Sequence, residues 1–379
     1  MASEGERDES SEREEQQAQP QQQATSTRVF YLGPAIRLEV ECVEIFRGKL
    51  LGGGVDATGQ MLWPGSLVLC KYLLQAHTLL QGSTTDALPP ALMPPFRHAT
   101  DGVEQPQCQQ PQHQQPHIVE LGAGATGLAG LLWARLQAPH ANKMKVTLTD
   151  RDAPSLALLQ RNAARVNREC GDDVVAARAL SWGIEAEAEA IMAERGPAAL
   201  VLGADILYPA IEVATIGALL WTARRLLGGG AGKGSMLLSF IDRDQKGSLR
   251  NLLRALRAGA FLLERAWELP EAGDEKGDDQ MLRLEEEEEE EQDEDKGNQQ
   301  QQQQQQRTGR RRRRPVILMR GAKLLLLAPM VPGDPCNQEK QEAAEMRWLP
   351  GVWDEPAARG GDDSDAEWAP PFRSSDGED

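Results

Sequence analysis

The stretch HIVELGAGATGLAGLLWARL (residues 117–136), followed after a short gap by KVTLTD (residues 145–150), decides the fold. Ile118, Val119 and Leu121 form an apolar run of strand length, and Gly122, Gly124 and Gly127 follow at once. Glycine at such a turn lets the backbone reverse sharply and lets a ligand approach with no Cβ in the way. The spacing predicts a helix from about Thr126. Its first turn would present unpaired N–H groups and the positive end of the helix dipole. Val146 to Thr149 read as the next strand, with Asp150 at its end. Strand, turn, helix, strand and carboxylate make the front half of a nucleotide-binding βαβ unit.

The alternation continues downstream. Helices are predicted over 155–168, 184–194, 211–227 and 248–258, and strands over 174–177, 199–202, 235–241 and 260–269. Val316 to Met319 and Lys323 to Ala328 supply a late strand pair or one long bent strand. Strands alternating with helices imply a parallel sheet covered on both faces. Upstream, Val29–Leu32 and Ile36–Phe46 flank Gly33-Pro34, and Ile36, Leu38, Val40 and Cys42 alternate with charged residues. That pattern fits a half-buried antiparallel ribbon. Trp63-Pro64 precedes a helix predicted from Gly65 to Gln75, with Pro64 suited to the first turn.

Much of the 379-residue chain does not read as core. Residues 1–27 are rich in Glu, Ser and Gln, residues 81–116 are rich in Pro and Gln, and residues 354–379 are acidic. Residues 271–314 hold an acidic run, the Gln301–Gln306 tract and Arg310–Arg314. Such compositions predict disordered tails at 1–27 and 354–379, an exposed loop at 81–116 and an extruded insertion at 271–314, all around one domain spanning 28–353. Loop closure entropy grows slowly with length, so a fold tolerates such an insertion. The formal charge of −17 is carried by these appendages: −4 over residues 1–28, −12 over 271–296, +6 over 307–314 and −7 over 354–379. The remainder is neutral, which argues against direct nucleic-acid binding by the core. Arg310–Arg314 fits either a nuclear-import or anion-binding patch or a charge-balancing neighbour of the acidic run. Five scattered cysteines without CxxC spacing predict a reducing compartment, no disulfide framework and no metal. No apolar run reaches membrane-spanning length. We therefore expect a soluble monomer in the cytoplasm, with nuclear residence also open.

Gly122, Gly124 and Gly127 match GxGxxG, and two cofactor classes use such a turn. A dinucleotide sets its pyrophosphate on the helix N-terminus and holds a ribose with a downstream acid. S-adenosylmethionine needs a close backbone turn beside its amino-acid part and likewise an acid for the ribose. Asp150 fits both, and it would also serve as a helix cap before Ala153-Pro154. Only one glycine turn follows a strand in this way, and no hydride-transfer constellation accompanies the later strand ends at Trp182 and at Asp205–Tyr208.

Five segments in order, Leu62-Trp63-Pro64, Glu120-Leu-Gly-Ala-Gly124, Val146-Thr-Leu-Thr-Asp150, Leu180-Ser-Trp-Gly183 and Leu202-Gly-Ala-Asp-Ile-Leu-Tyr208, resemble the seven-β-strand protein-lysine methyltransferases with a DxxY motif. The resemblance covers about residues 28–269 and 316–330. It implies a Rossmann-like class I α/β fold, with a seven-stranded, mostly parallel sheet, helices on both faces and an antiparallel last strand. It further implies S-adenosylmethionine as cofactor and a lysine of a protein substrate as acceptor. By position, Gly122, Ala123 and Gly124 would contact the methionine end, Asp150 the ribose hydroxyls, and Trp182 would lie near the adenine. Trp63 and the Ala204 backbone would line the same pocket. Asp205 and Tyr208 would form the DxxY pair beside the transferring methyl, with Asp205 placed to hold an ammonium. The alternatives are a methyltransferase with a different acceptor, or a non-catalytic protein keeping the fold. The turn departs from the usual GxGTGL of the family by one extra residue at or near Ala125, and Ser181 stands where a polar or acidic residue is common.

Overall fold

The computed structural model describes residues 25–32, 36–43, 58–82, 117–140, 143–209, 211–229, 234–243, 247–258, 261–268, 282–283, 322–330 and 337–349. Strands β1 (Thr25–Leu32) and β2 (Ile36–Val43) come first, followed by a 3-10 turn (Thr58–Gln60) and helix α1 (Pro64–Gly82). Then come β3 (His117–Leu121), α2 (Leu128–Leu136), β4 (Lys145–Asp150), α3 (Ala153–Cys170) and β5 (Val175–Ala179). The alternation goes on through α4 (Glu185–Arg195), β6 (Leu200–Ala204), α5 (Val213–Leu226), β7 (Ser235–Ile241), α6 (Gly247–Arg257) and β8 (Phe261–Glu268). The short β9 (Leu282–Arg283), then β10 (Ala322–Pro329) and α7 (Asn337–Trp348), complete the described elements.

Seven strands form one sheet in the order β5-β4-β3-β6-β7-β10-β8. The β3–β4, β4–β5, β3–β6 and β6–β7 pairs are parallel, and β10 runs antiparallel to both neighbours. This is the Rossmann-like class I methyltransferase architecture, with its single reversed strand second from the edge. Successive residues point to opposite faces, as the pleat requires. Leu324 and Leu326 enter one core, whereas Leu325 and Leu327 enter the other. The first core is shared with α1, α2, α3 and the inner face of the β1–β2 hairpin, the second with α4, α5 and α6. Both faces being covered explains why the central strands read as continuous apolar runs.

The hairpin is tied to α3 through a buried amide. Asn162 Nδ2 donates to Glu41 O (2.9 Å) and to Ala125 O (2.9 Å), while its Oδ1 accepts from Glu41 N (2.8 Å). Arg161 adds two bonds to the Glu41 carboxylate. One side chain thus joins the hairpin, α3 and the glycine turn.

Several expectations shift. Helix α1 runs to Gly82 rather than Gln75, because its apolar side continues through Leu73, Leu74 and Ala76 and no breaker precedes the glycine. Helix α2 starts at Leu128 rather than Thr126, because Gly127 caps it in the left-handed conformation (φ 49°). The late strand is a single one, Ala322–Pro329, and Val316–Met319 lies outside the described residues. Leu282–Arg283, expected within a featureless insertion, adds to the edge of β1 opposite Tyr31 and Leu32. The remainder of 271–314, with 1–24, 83–116 and 350–379, lies outside the described residues, as do Arg310–Arg314. Helix α7 carries no apolar periodicity that would announce it in the sequence. Its inward residues are Gln341 and Glu345, not an apolar stripe: Gln341 Oε1 accepts from Leu263 N, and Glu345 takes an ion pair with Arg257. It covers the edge strand β8, whose unpaired amides would otherwise be open to another strand.

Candidate active site

The parallel strands end together on one rim, and the residues singled out above gather there. At the end of β3 the chain turns through Gly122 (φ 58°) and Gly124 (φ 60°), both left-handed. A Cβ on Gly124 would lie 2.6 Å from Gly59 O, and one on Gly122 would lie 2.8 Å from Ile206 Cγ2 and 3.3 Å from the Trp182 ring. Both the backbone angle and the crowding demand glycine at these two positions. Trp182 is half-buried and borders the turn, so the β3 and β5 strand ends share one wall. Ala123 is buried, and its N–H donates to Thr149 O at 2.8 Å.

Asp150 ends β4 beside this turn. Its Oδ2 accepts from Gly124 N (2.8 Å) and its Oδ1 from Asp152 N (2.9 Å). Burial raises the carboxyl's pKa, and the bonds from Asp152 and Gly124 pull it back down. With a further backbone bond from Arg151, the carboxylate still has lone-pair capacity for a hydroxyl donor. The capping role weighed for Asp150 belongs to Asp152, whose Oδ2 accepts from Ser155 N at 2.9 Å.

The extra residue of the turn is bound at both ends. Ala125 is fully buried, its N–H donates to Gly59 O (2.6 Å), and its carbonyl accepts from Asn162. Gly127 N then returns to Ala123 O (2.9 Å) before α2 begins. The added residue therefore couples the turn to the 58–60 segment and to the hairpin. Gly59 went unread in the sequence. Its only signal there was a glycine shortly before Trp63-Pro64.

On the other side of the rim, Ala204 is buried at the end of β6 and is followed by Asp205 in a left-handed backbone (φ 56°). The Asp205 side chain is 0% exposed. Its Oδ2 accepts from Gly65 N at the start of α1 (2.9 Å) and from Arg243 Nη2 (2.6 Å), and its Oδ1 accepts from Arg243 Nη1 (2.9 Å). The Arg243 guanidinium also lies over the Trp63 ring, 5.2 Å from its centroid. Ser239 Oγ donates to Gly65 O at 2.8 Å, closing the knot between β7 and α1. Trp63, expected against the cofactor, has the Arg243 guanidinium over its ring. Asp205, expected to receive an ammonium, is already engaged by that arginine. Tyr208 is half exposed, and its carbonyl accepts from Ile211 N and Ser248 Oγ. Arg243 was missed because it follows the β7 strand between two aspartates, where a surface charge cluster is the ordinary reading.

Among the described residues no group of three or more His, Cys, Asp or Glu is arranged to hold a metal, and no helix is long and apolar enough to cross a membrane. A family model for lysine methyltransferases matches residues 50–246, just over half of the chain. The chain belongs to the lysine methyltransferase family. Membership brings S-adenosylmethionine as cofactor, and the residues fit it: a left-handed glycine turn at a strand end, a strand-end carboxylate with lone-pair capacity left, and an aromatic wall. A search of the curated proteins finds no match. Solved structures similar to the chain include a predicted O-methyltransferase, Atu636, from Agrobacterium tumefaciens (20% identity, 40% of this chain and 64% of that one, TM-score 0.30). Others are an arsenic(III) S-adenosylmethionine methyltransferase from Chlamydomonas reinhardtii (16%, 58% and 65%, TM-score 0.28) and TrmN from Thermus thermophilus (14%, 57% and 44%, TM-score 0.32). The chain spans less than two thirds of each of these three.

Proposed function

We propose that this protein is a working S-adenosylmethionine-dependent methyltransferase whose acceptor is a lysine side chain of a protein substrate. The observation carrying this reading is the convergence of the Gly122–Gly124 turn, Asp150, Trp182 and the Asp205–Tyr208 pair on one rim of the sheet. The bound cofactor supplies an electrophilic methyl on a sulfonium. The protein's own part would be to admit the acceptor as a neutral amine in line with that methyl and to let the amine's proton pass to water. Gly122 and Gly124 would shape the left-handed turn beside the methionine end, Asp150 would hold the ribose hydroxyls, and Trp182 would wall the adenine. Such a site works by positioning the reactants and excluding water.

The neutral core supports a protein acceptor over direct nucleic-acid binding. We propose a monomer in the cytoplasm, with the basic run leaving a nuclear role open. Isothermal titration with S-adenosylmethionine tests the reading. Wild type should bind, and Asp150→Ala and Gly124→Arg should each lose at least about tenfold in affinity, the scale of one or two lost hydrogen bonds. Well-folded wild type that binds no cofactor would sink the proposal. Labelling of lysate proteins with isotopic cofactor, followed by mass spectrometry, then separates lysine from other acceptors.

A further inference from the structure

The DxxY aspartate in this structure is not a free carboxylate. It is fully buried, held in a left-handed backbone, bonded to the first amide of α1 and paired through both oxygens with one guanidinium. The Arg243 side chain is 27% exposed and is backed by the Trp63 ring. We propose that Arg243 is a positioning residue for the methyl-acceptor step: it neutralises Asp205, so that the acceptor nitrogen meets a neutral pair and enters as the free amine. The inference rests on the methyltransferase reading above, which puts Asp205 beside the transferring methyl.

The reasoning is electrostatic. A lysine ammonium has no lone pair, so only the deprotonated amine attacks, and its unperturbed pKa is about 10.4. A bare buried carboxylate in contact would raise that value by about 1 to 3 units, holding the acceptor in its unreactive form. A bidentate arginine cancels the carboxylate's field, and its stacking on an aromatic face keeps it in place. Asp205 comes from the end of β6, and Arg243 with its neighbour Asp242 from the end of β7. Helix α1 contributes no acidic residue in its first turn, only the amide of Gly65 and the positive end of its dipole. Tyr208 follows three residues after Asp205. Arg243 is therefore the one cation bonded to Asp205 among the described residues.

The test is the pH profile of initial methyl transfer from isotopic S-adenosylmethionine into proteins of an undermethylated lysate, at saturating cofactor, with the full chain. Wild type, Arg243→Gln and Arg243→Lys are compared, with cofactor affinity by titration as the folding control. Arg243→Met is a second neutral variant, read the same way where the glutamine does not fold. We expect the neutral variant to bind cofactor within about twofold of wild type. Its rising limb should move about one pH unit to the alkaline side, a loss of about tenfold at every pH below the limb that closes only as pH passes the shifted limb. Arg243→Lys, which keeps the charge, should leave the limb in place at a lower plateau. A limb that stays put in the neutral variant, or that moves equally in the lysine variant, overturns the inference while leaving the enzyme reading intact. Wild type that neither binds cofactor nor transfers label overturns both.

Discussion

Two buried titratable side chains sit under the site and pull stability in opposite directions with pH. Glu120 is 1% exposed in the middle of the sheet, with its Oε2 accepting from Gly130 N at 2.7 Å, and burial lifts its pKa to about 7. His117 shares a bond with Thr147 Oγ1 at 2.7 Å, and burial lowers its pKa to about 4. For Glu120 the folded pKa lies above the unfolded value, so its contribution is present below about pH 4.5 and is lost as pH rises through 7. For His117 the folded pKa lies below the unfolded value, so its contribution is present above about pH 6.5 and is lost as pH falls through 4. Glu120→Gln keeps the acceptor for Gly130 and removes the titration. It should raise the melting temperature at pH 8, by up to about 3 kcal/mol of stability, and change little at pH 5. Identical pH slopes for variant and wild type in thermal melts would refute this. A second residue-level expectation concerns Gly124→Ala. The added methyl would meet Gly59 O at 2.6 Å in a left-handed backbone, so the turn must shift. Cofactor affinity should fall at least tenfold, about 1.4 kcal/mol, while the far-ultraviolet dichroism stays unchanged.

The elements that carry the site are fastened by polar side chains as well as by the apolar cores. The β1–β2 hairpin is fastened to α3 and to Ala125 by the three hydrogen bonds of Asn162. Truncation to alanine leaves buried donors and acceptors unpaired, and should cost about 2 to 4 kcal/mol in urea unfolding. It should also weaken cofactor binding, because Ala125 belongs to the turn. An Asn162→Ala variant as stable as wild type would show that the hairpin is anchored elsewhere. Here the sequence has its limits. Asn162 stands out as an unusual choice inside a helix, but its partner Glu41 is 121 residues away and no local pattern announces it. Arg243 and α7 escape for the same reason, since an arginine between aspartates and a helix with a polar inward face carry no periodic signal. By contrast β3, the glycine turn and β4 are legible, because turn chemistry and apolar runs are local properties.

At the scale of the whole molecule, the parallel sheet follows from the regular alternation of strand and helix, and the antiparallel β10 from the family resemblance. The composition of 271–314 separates it from the core-forming sequence, yet does not reveal that Leu282–Arg283 pairs with β1. Replacing residues 285–314 with a flexible Gly/Ser linker of about twenty residues should leave cofactor affinity within twofold and the melting temperature within about 2 °C. Unfolding of that variant would mean the replaced segment is integral to the domain. The sheet register adds a consequence. Glu268, the last residue of β8, pairs with Lys323, and Ala322 at the start of β10 pairs with Ile241, two residues before Arg243. The long connection thus departs from and rejoins the sheet on the rim where methyl transfer is proposed, not on the opposite one. A lysine peptide grafted between 285 and 314 would be tethered beside the acceptor site at an effective concentration of order millimolar. Self-methylation of such grafts, read by mass, would turn the search for a substrate sequence into an intramolecular selection.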